Sequence, residues 1–536
     1  MAHSKRRKSG NAFPPFFKHR LELSFLTSGL IYLAFTVPFP LGRYYAVNPP
    51  VDYAKLTEYS IFGFAAFIVG ILVLFGMYVY ILRVLVSSSG QADFWTLLGI
   101  GGLFAVILAF SYPQMAIDLF VYALRTRGWG LYHLSPFLTA PENFPPSDPW
   151  LGLAGEWVDA ASPYGPVWEQ ISLIVYRFAG GDYLAHLYAL KGVGVIAYLG
   201  SMGLIYRILC LTRPRWALPG TAFFAFNPLV LFESAQNAHN DIVMVFFLLA
   251  AVWAYFWLAK NGREAAAGSR NWFSALLRSP RVIWLLFVAA FALSILVKFS
   301  SVLVLPFFLI GLMGTAHTRL RRILLPAGTG IAIGMLVAAG MMPYWPGLEN
   351  WAVLQASKGA GRSLFALLVL TVRPHLGSVN AAFRTTSRLI YTIFGGIYLW
   401  ALWRVFQSGL RFRFEKRNRQ KAASEAPLRA GFYIFFWYVL LAATTFHAWY
   451  LLWFLPFAAL LLPERRVIGS AVVFSLMSLL LIPYYEIIRV WYPYLNINHQ
   501  LGHLVGVTLL FVPVLLALWR PPSVLGENLQ PGFRSE

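Results

Sequence analysis

Apolar stretches of about 20 residues recur along the chain from Leu23 to Trp519, and this recurrence limits the possible folds more than any other feature. A helix of that length rises roughly 30 Å, the thickness of a hydrocarbon core. In lipid every backbone amide must be satisfied within the spanning structure, which leaves helices and closed barrels. Barrel strands alternate apolar and polar residues over about 10 positions, and these stretches do not alternate. Composition agrees: the 536 residues are 59% hydrophobic and 12% charged, against about 25% charged in a soluble domain. The expected fold is an all-α integral membrane protein, a polytopic helix bundle of about 14 transmembrane helices.

The expected spans are Leu23–Pro40, Tyr59–Val84, Trp95–Met115, Leu184–Leu209, Ala217–Phe232, Ile242–Leu258, Val282–Val297, Ser300–Gly314, Ile323–Met342, Leu389–Phe406, Phe432–Phe446, Trp449–Leu462, Val467–Ile482 and Leu504–Trp519. A net charge of +22 raises the question of nucleic acid. The basic residues, however, sit in short clusters between apolar runs, as in cytoplasmic loops, and no nucleic-acid partner is expected. Lys5–Lys8, Arg207/Arg213/Arg215, Lys260–Arg281, Arg319/Arg321/Arg322, Arg411–Lys421 and Arg465/Arg466 all fall on one side if Tyr164–Phe178 does not span. That segment is short and carries Glu169, Gln170 and Arg177, so it is expected at the outer interface or as a re-entrant helix.

The resulting layout has a basic cytoplasmic tail at 1–22, a transmembrane domain at 23–520 and a cytoplasmic tail at 521–536. External loops are expected at 116–182 and 343–388 and a cytoplasmic loop at 407–430, with shorter outer loops carrying Glu233–Asp241, Lys298, Phe446–Tyr450 and Tyr484–His503. The chain is expected in the plasma membrane, multi-pass, with both termini cytoplasmic. The single cysteine, Cys210, excludes an intrachain disulfide.

Ionisable side chains are costly at the bilayer centre and tend to mark function. Here the spans carry few, Lys191 being the main exception, and polar groups gather at outer helix ends. Asp118 follows the third span in MAIDLFVYALRTR. A carboxylate there is placed to take a proton from a hydroxyl, or only to cap the stretch Leu119–Arg127. Ser162-Pro-Tyr-Gly-Pro-Val-Trp168-Glu169 reads as a rigid turn feeding a helix. Tyr164 and Trp168 suit interfacial anchoring or stacking on a sugar, and Glu169 an acid–base role or a helix N-terminal charge. Asn227–Glu233 and Gln236–Asp241 join two spans through a dense polar cluster containing Asn237, His239, Asn240 and Asp241. His239 and Asp241 alone do not make a metal site, and neither metal nor cofactor is expected. Lys298, between two short apolar runs, either snorkels or meets a phosphate. His447 and Trp449 stand at another outer helix end.

Taken in order, Asp118-x-x-x-Tyr122, SPYGPVW (Ser162–Trp168), NPLVLFE…NAHND (Asn227–Asp241), a VKxxxxLxLP-like segment (Val297–Pro306) and WYLLWFLP (Trp449–Pro456) form a pattern. It resembles the polyprenyl-phosphate-mannose-dependent α-1,6-mannosyltransferases of bacterial envelopes, in the GT-C superfamily, over roughly Leu23 to Leu462. Where such enzymes often have an N-P-Y-like turn, this chain reads Leu134-Ser-Pro136-Phe137. The resemblance implies a GT-C-type bundle with a large external first loop and an inverting transferase with an external active site. It implies that Asp118 is the base. It also implies that the SPYGP, NAHND and Lys298 regions line the cavity, and the residues expected to bind substrate are Tyr122, Tyr164, Trp168, Glu169, Asn237, His239, Asn240, Asp241, His447 and Trp449.

The donor phosphate is expected at Lys298 and Arg362. The expected partners are a polyprenyl-phosphate-linked sugar, most simply mannose, a glycan or glycolipid acceptor, and membrane lipids. The alternative is a lipid or glycolipid flippase, which would need polar groups near the midplane and, in many such folds, repeated halves. The sequence has neither.

Overall fold

The computed structural model describes residues 15–87, 92–153, 155–261, 279–315, 318–345, 361–411 and 424–526. Lys5–Lys8, Lys358 and most of the Lys260–Arg281 and Arg411–Lys421 clusters lie outside those residues, as do most of the tail 521–536 and part of the loops 343–388 and 407–430.

Counting α-helices of six residues or more, the described residues run α1 (Pro15–Thr36), α2 (Ile61–Ser87), α3 (Phe94–Ala109), α4 (Asp118–Tyr132), α5 (Pro166–Phe178), α6 (Tyr183–Thr212), α7 (Ala217–Ala225), α8 (Asp241–Asn261), α9 (Pro280–Val297), α10 (Leu305–Leu312), α11 (Arg319–Met341), α12 (Leu364–Leu376), α13 (Val379–Arg411), α14 (Ala426–Trp437), α15 (Leu455–Leu460), α16 (Arg465–Pro483) and α17 (His499–Trp519). Among the described residues the only β pairing is two isolated bridges, Pro40 with Ser111 and Gly361 with Thr445. Eight helices among those residues are long and apolar enough to cross a membrane, and shorter apolar helices accompany them. The chain is an all-helical, polytopic integral membrane protein.

About 14 spans were expected, several of them shorter than an ideal span, and the described residues show eight long apolar helices together with shorter ones. Each expected span does coincide with helix, but several are short or broken. Ala217–Phe232 is interrupted after Ala225 by the Asn227-Pro228 break. Ser300–Gly314 opens as a 3-10 turn, Phe299–Val304, before α10. Trp449–Leu462 divides into a 3-10 stretch, Ala448–Trp453, and α15. Proline explains much of this: it lacks an amide proton and clashes with the preceding turn, so Pro228, Pro306 and Pro456 each sit in the first turn of a new helix. The 343–388 region, expected as an external loop, contains α12 and the start of α13. Its arginines had masked the apolar period of Leu364–Thr371.

Surface apolarity fits a lipid environment. On α11, Leu320, Ile323, Leu324, Ile331 and Met335 are all more than half exposed, which water would penalise and acyl chains do not. Lys191 is fully buried, and its ammonium donates to the backbone carbonyls of Ser111 (2.8 Å) and Gln236. It finds its partners inside the bundle rather than at an interface, and it ties the end of α3 to the segment before α8.

Candidate active site

Two helices bring the first pair of site residues together. α8 begins at Asp241, and α9 packs along it and ends at Val297, one residue before Lys298. Each charge therefore sits where its own helix favours it, an anion at an N-terminus and a cation past a C-terminus. The Lys298 ammonium meets both Asp241 oxygens, at 2.8 and 2.9 Å. The indole N–H of Trp453 also donates to Asp241, at 2.5 Å. The rings of Tyr164, Tyr450 and Trp453 surround the ammonium at 5.5–5.6 Å, a cation–π arrangement.

The SPYGP turn is fixed against the end of α9. Gly165 donates its amide to the carbonyl of Val297 (3.0 Å), one of the carbonyls a helix end leaves open. A Cβ at Gly165 would lie 2.0 Å from the Leu296 carbonyl oxygen, so only glycine fits. Pro166 then opens α5. This docking sends the Tyr164 hydroxyl to Asp118 Oδ2, at 3.3 Å. Burial, then the nearby Asp118 charge, holds the Tyr164 phenol well above its ordinary value, so it stays a donor. Tyr122 packs edge-on against both Tyr164 and Trp168. Trp168 is 1% exposed and packs into this aromatic group.

Glu169 is buried and accepts from the Ser162 hydroxyl at 2.5 Å. Burial raises its pKa, partly offset by Ser162 and Arg125. It braces the turn and does not face Asp118. Asp118 itself is the first residue of α4, and no side-chain cap forms there, so the capping reading does not hold.

The Asn227–Asp241 segment, expected to join two spans on the outside, is packed inside the bundle: Asn227 and every residue from Gln236 to Asp241 are buried. Asn227 caps the short helix after it, accepting from Leu229 N at 3.0 Å. A π-helical turn, Phe232–Gln236, follows, and Ala238 adopts a left-handed φ of 55°. Both are local distortions of a kind found at functional sites. The segment is pinned by Lys191 and by a close approach at Gly194, where a Cβ would meet the Ser234 carbonyl oxygen at 2.4 Å.

This geometry carries His239 between two carboxylates. Its Nδ1 is 2.9 Å from Glu233 Oε2, in a bent contact, and its Nε2 is 3.8 Å from Asp118 Oδ2. Its ring stacks on Trp449 at 4.0 Å, and His447 stacks on the same indole at 4.2 Å. Burial opposes the His239 cation, but Glu233, then Asp118 and Asp241, outweigh it and raise its pKa. His447 goes the other way: burial, then Arg362, Lys298 and His239, lower it to about 3, so it is neutral. Asn237 donates to Glu233 Oε2 at 2.9 Å, and Asn240 is buried with both side-chain polar atoms unpartnered among the described residues.

Asp118, Tyr164, His239, Asp241, Lys298 and Trp449 thus converge from five chain segments. Arg362 stands apart, paired with Glu486 and lying 5.1 Å over the Tyr485 ring. Glu233 was passed over as a site residue in the sequence, although its place six residues before His239 was visible. Trp453 was likewise passed over.

A family description, alpha-(1->6)-mannopyranosyltransferase, N-terminal domain, matches residues 35–314, more than half of the chain and the part that holds Asp118, Tyr164, His239, Asp241 and Lys298. The chain belongs to this family. The family consists of hexosyltransferases with a polyprenyl-phosphate-mannose donor. No curated protein matches the chain. Among solved structures it is similar to the oligosaccharyltransferase of Archaeoglobus fulgidus in the apo form, with 14% identity, 82% of this chain covered and a TM-score of 0.39. The chain spans 57% of that protein's length.

Proposed function

We propose that the chain is an inverting mannosyltransferase that moves mannose from a polyprenyl-phosphate carrier to a glycan or glycolipid acceptor of the cell envelope, working on the outer face of the plasma membrane. The observation that carries this reading is the accessibility of one carboxylate. The Asp118 side chain is 11% exposed, while Asp241 and Glu233, in the same cluster, are at 0% and 1%. Of the three, Asp118 is the one a substrate can reach. Tyr164 and His239 both approach its Oδ2, which leaves Oδ1 to an acceptor hydroxyl.

In this reading Asp118 takes the hydroxyl proton as the acceptor oxygen attacks the anomeric carbon. The attack comes opposite the phosphate, so the new C–O bond inverts the centre. The bond from the anomeric carbon to the phosphate oxygen breaks, and its electron pair leaves on polyprenyl phosphate. The growing phosphate charge needs a cation, and electrostatic stabilisation of this kind is usually a large catalytic term. Lys298 has three N–H bonds and directs two at Asp241, which leaves one for phosphate. Arg362 is the second candidate, and its guanidinium suits bidentate phosphate binding.

The test is transfer by the purified full-length protein in proteoliposomes, with radiolabelled polyprenyl-phosphate mannose and an octyl α-1,6-linked mannobioside. A product with a new α linkage, formed from a β-linked donor, supports the reading. Retention of configuration, or lipid translocation without transfer, would refute it.

A further inference from the structure

The row Glu233–His239–Asp118 has a charge pattern that its geometry dictates. Both imidazole nitrogens lie within ion-pair range of carboxylate oxygens, Nδ1 2.9 Å from Glu233 and Nε2 3.8 Å from Asp118, although neither contact has the alignment of a hydrogen bond. A neutral imidazole has one N–H and one lone pair. Whichever tautomer it adopted, it would turn a lone pair against one of the two carboxylates. Only the doubly protonated ring suits both sides. The ring has no freedom to escape this, since it is fully buried and stacked at 18° on Trp449.

The backbone explains why the ring is held so. The π-helical turn Phe232–Gln236 and the left-handed Ala238 fold the chain back, so that the His239 amide donates to the Glu233 carbonyl at 3.0 Å. Glu233 and His239 are therefore tied through backbone and side chain alike. Asn237 supplies a further hydrogen bond to Glu233 Oε2. A strained, buried connection of this kind positions one side chain with little play.

We propose that His239, anchored by Glu233 and braced on Trp449, is the positioning residue for Asp118: as an imidazolium it keeps that carboxylate charged and fixes which of its oxygens is offered to the acceptor. This rests on the assignment of Asp118 as base and deepens it. An ionised base before the acceptor arrives is the requirement, since a protonated Asp118 takes no proton. The groups that face His239 are Glu233 from the π-helical turn, Asp118 from α4 and Asp241 from α8. Lys298 lies on Asp241, and His447 lies against Trp449. Asp241 neutralises Lys298, Glu486 pairs with Arg362, and Arg125 donates to the Ala160 carbonyl.

The experiment compares wild type, His239→Gln and Glu233→Gln as full-length protein in proteoliposomes, with the donor and octyl mannobioside above. His239→Gln is expected to lower kcat by about 10- to 100-fold, to change the acceptor KM by less than about threefold, and to move the acid limb of the kcat–pH profile up by about one unit. Glu233→Gln keeps the shape of the site and is expected to bring the alkaline limb to lower pH, because the imidazolium loses one of its anions. A profile that merely scales down, with both limbs in place in both variants, overturns the proposal in favour of a packing role.

Infrared difference spectroscopy against pH supplies a readout that needs no turnover. In His239→Gln a protonated-carboxyl band should appear at higher pH than in the wild type, and the double variant with Asp118→Asn should lack that band. Absence of the shift also overturns the proposal. If Asp118→Asn alone retains normal turnover, the base assignment falls while the band still decides whether His239 governs the Asp118 charge. Should His239→Gln fail to fold, the Glu233→Gln limb decides.

Discussion

The ammonium of Lys298 lies between the two carboxylate oxygens of Asp241, 2.8 Å from one and 2.9 Å from the other, and Asp241 has no solvent exposure. A buried pair is strongly destabilised when one member goes, by about 3–5 kcal/mol, because the other is left as an unpaired buried charge. Lys298→Met is therefore expected to lower thermal stability sharply, and Lys298→Met with Asp241→Asn to recover much of it. If Lys298 also binds the donor phosphate, the stable double variant stays nearly inactive in both neutral and anionic liposomes. Recovery of turnover with stability, or on changing the lipid mixture, would show that the lysine only holds Asp241 or a headgroup.

Asp118→Asn is expected to keep the fold and reduce turnover by about 10² or more, the usual scale for a lost general base. The side chain is nearly isosteric, and its contact with Tyr164 survives the change. Expression, thermal unfolding and single-turnover transfer on the same preparation check this. Near-normal turnover would move the search to Glu233 and Asp241.

The Gly165 contact separates geometry from chemistry. Gly165→Ala would drive a methyl into the Leu296 carbonyl, so the SPYGP turn must lift from α9 and carry Tyr164 away from Asp118. Both stability and kcat should fall, whereas Gly192→Ala, which has open space around it, should be neutral or slightly stabilising within its helix. Equal behaviour of the two variants would mean that the turn is not docked as described.

Much of this was legible in the sequence where the signal is local. Apolar length gave the helices, and Asp118, the SPYGP turn and the NAHND segment stood out by composition. What depends on partners far along the chain did not. The Lys298 partner is 57 residues away and the Trp453 hydrogen bond to Asp241 crosses 212. Polar density singled out Gln236–Asp241, but not that the segment is buried with its backbone held by Lys191 from another helix. Helix α12 was missed because Arg362 and Arg373 bracket an apolar run of fewer than 18 residues.

The orientation of the chain turns on Pro166–Phe178. This helix has 13 residues and spans only about 20 Å, short of the hydrocarbon core, and its end residue Phe178 is largely exposed. Positions 147 and 182, before and after it, should therefore share one side of the membrane. In a Cys210→Ser background, Ser147→Cys and Asp182→Cys should both react with an impermeant thiol reagent on intact cells. Labelling at 147 with protection at 182 would make the helix a span and invert everything downstream.

Glu169 offers a prediction in which the sign is fixed by burial. Its carboxyl is raised above the ordinary range because burial outweighs the help of Ser162 and Arg125. The fold therefore holds the proton more tightly than the unfolded chain does. The stability linked to this group is fully present below the ordinary glutamate value of about 4.3 and is lost as pH rises through the raised value. Gln mimics the neutral acid and keeps an oxygen for the Ser162 hydroxyl. Glu169→Gln should thus leave the melting temperature unchanged at pH 4 and raise it at pH 8, by about 2–4 °C for each kcal/mol recovered. Turnover should stay within about threefold of wild type, since the Glu169 carboxyl is engaged with the Ser162 hydroxyl of the turn. A loss of activity comparable to that of Asp118→Asn would instead place Glu169 in the chemistry. An unchanged melting profile at both pH values would mean that its burial is not what sets its charge.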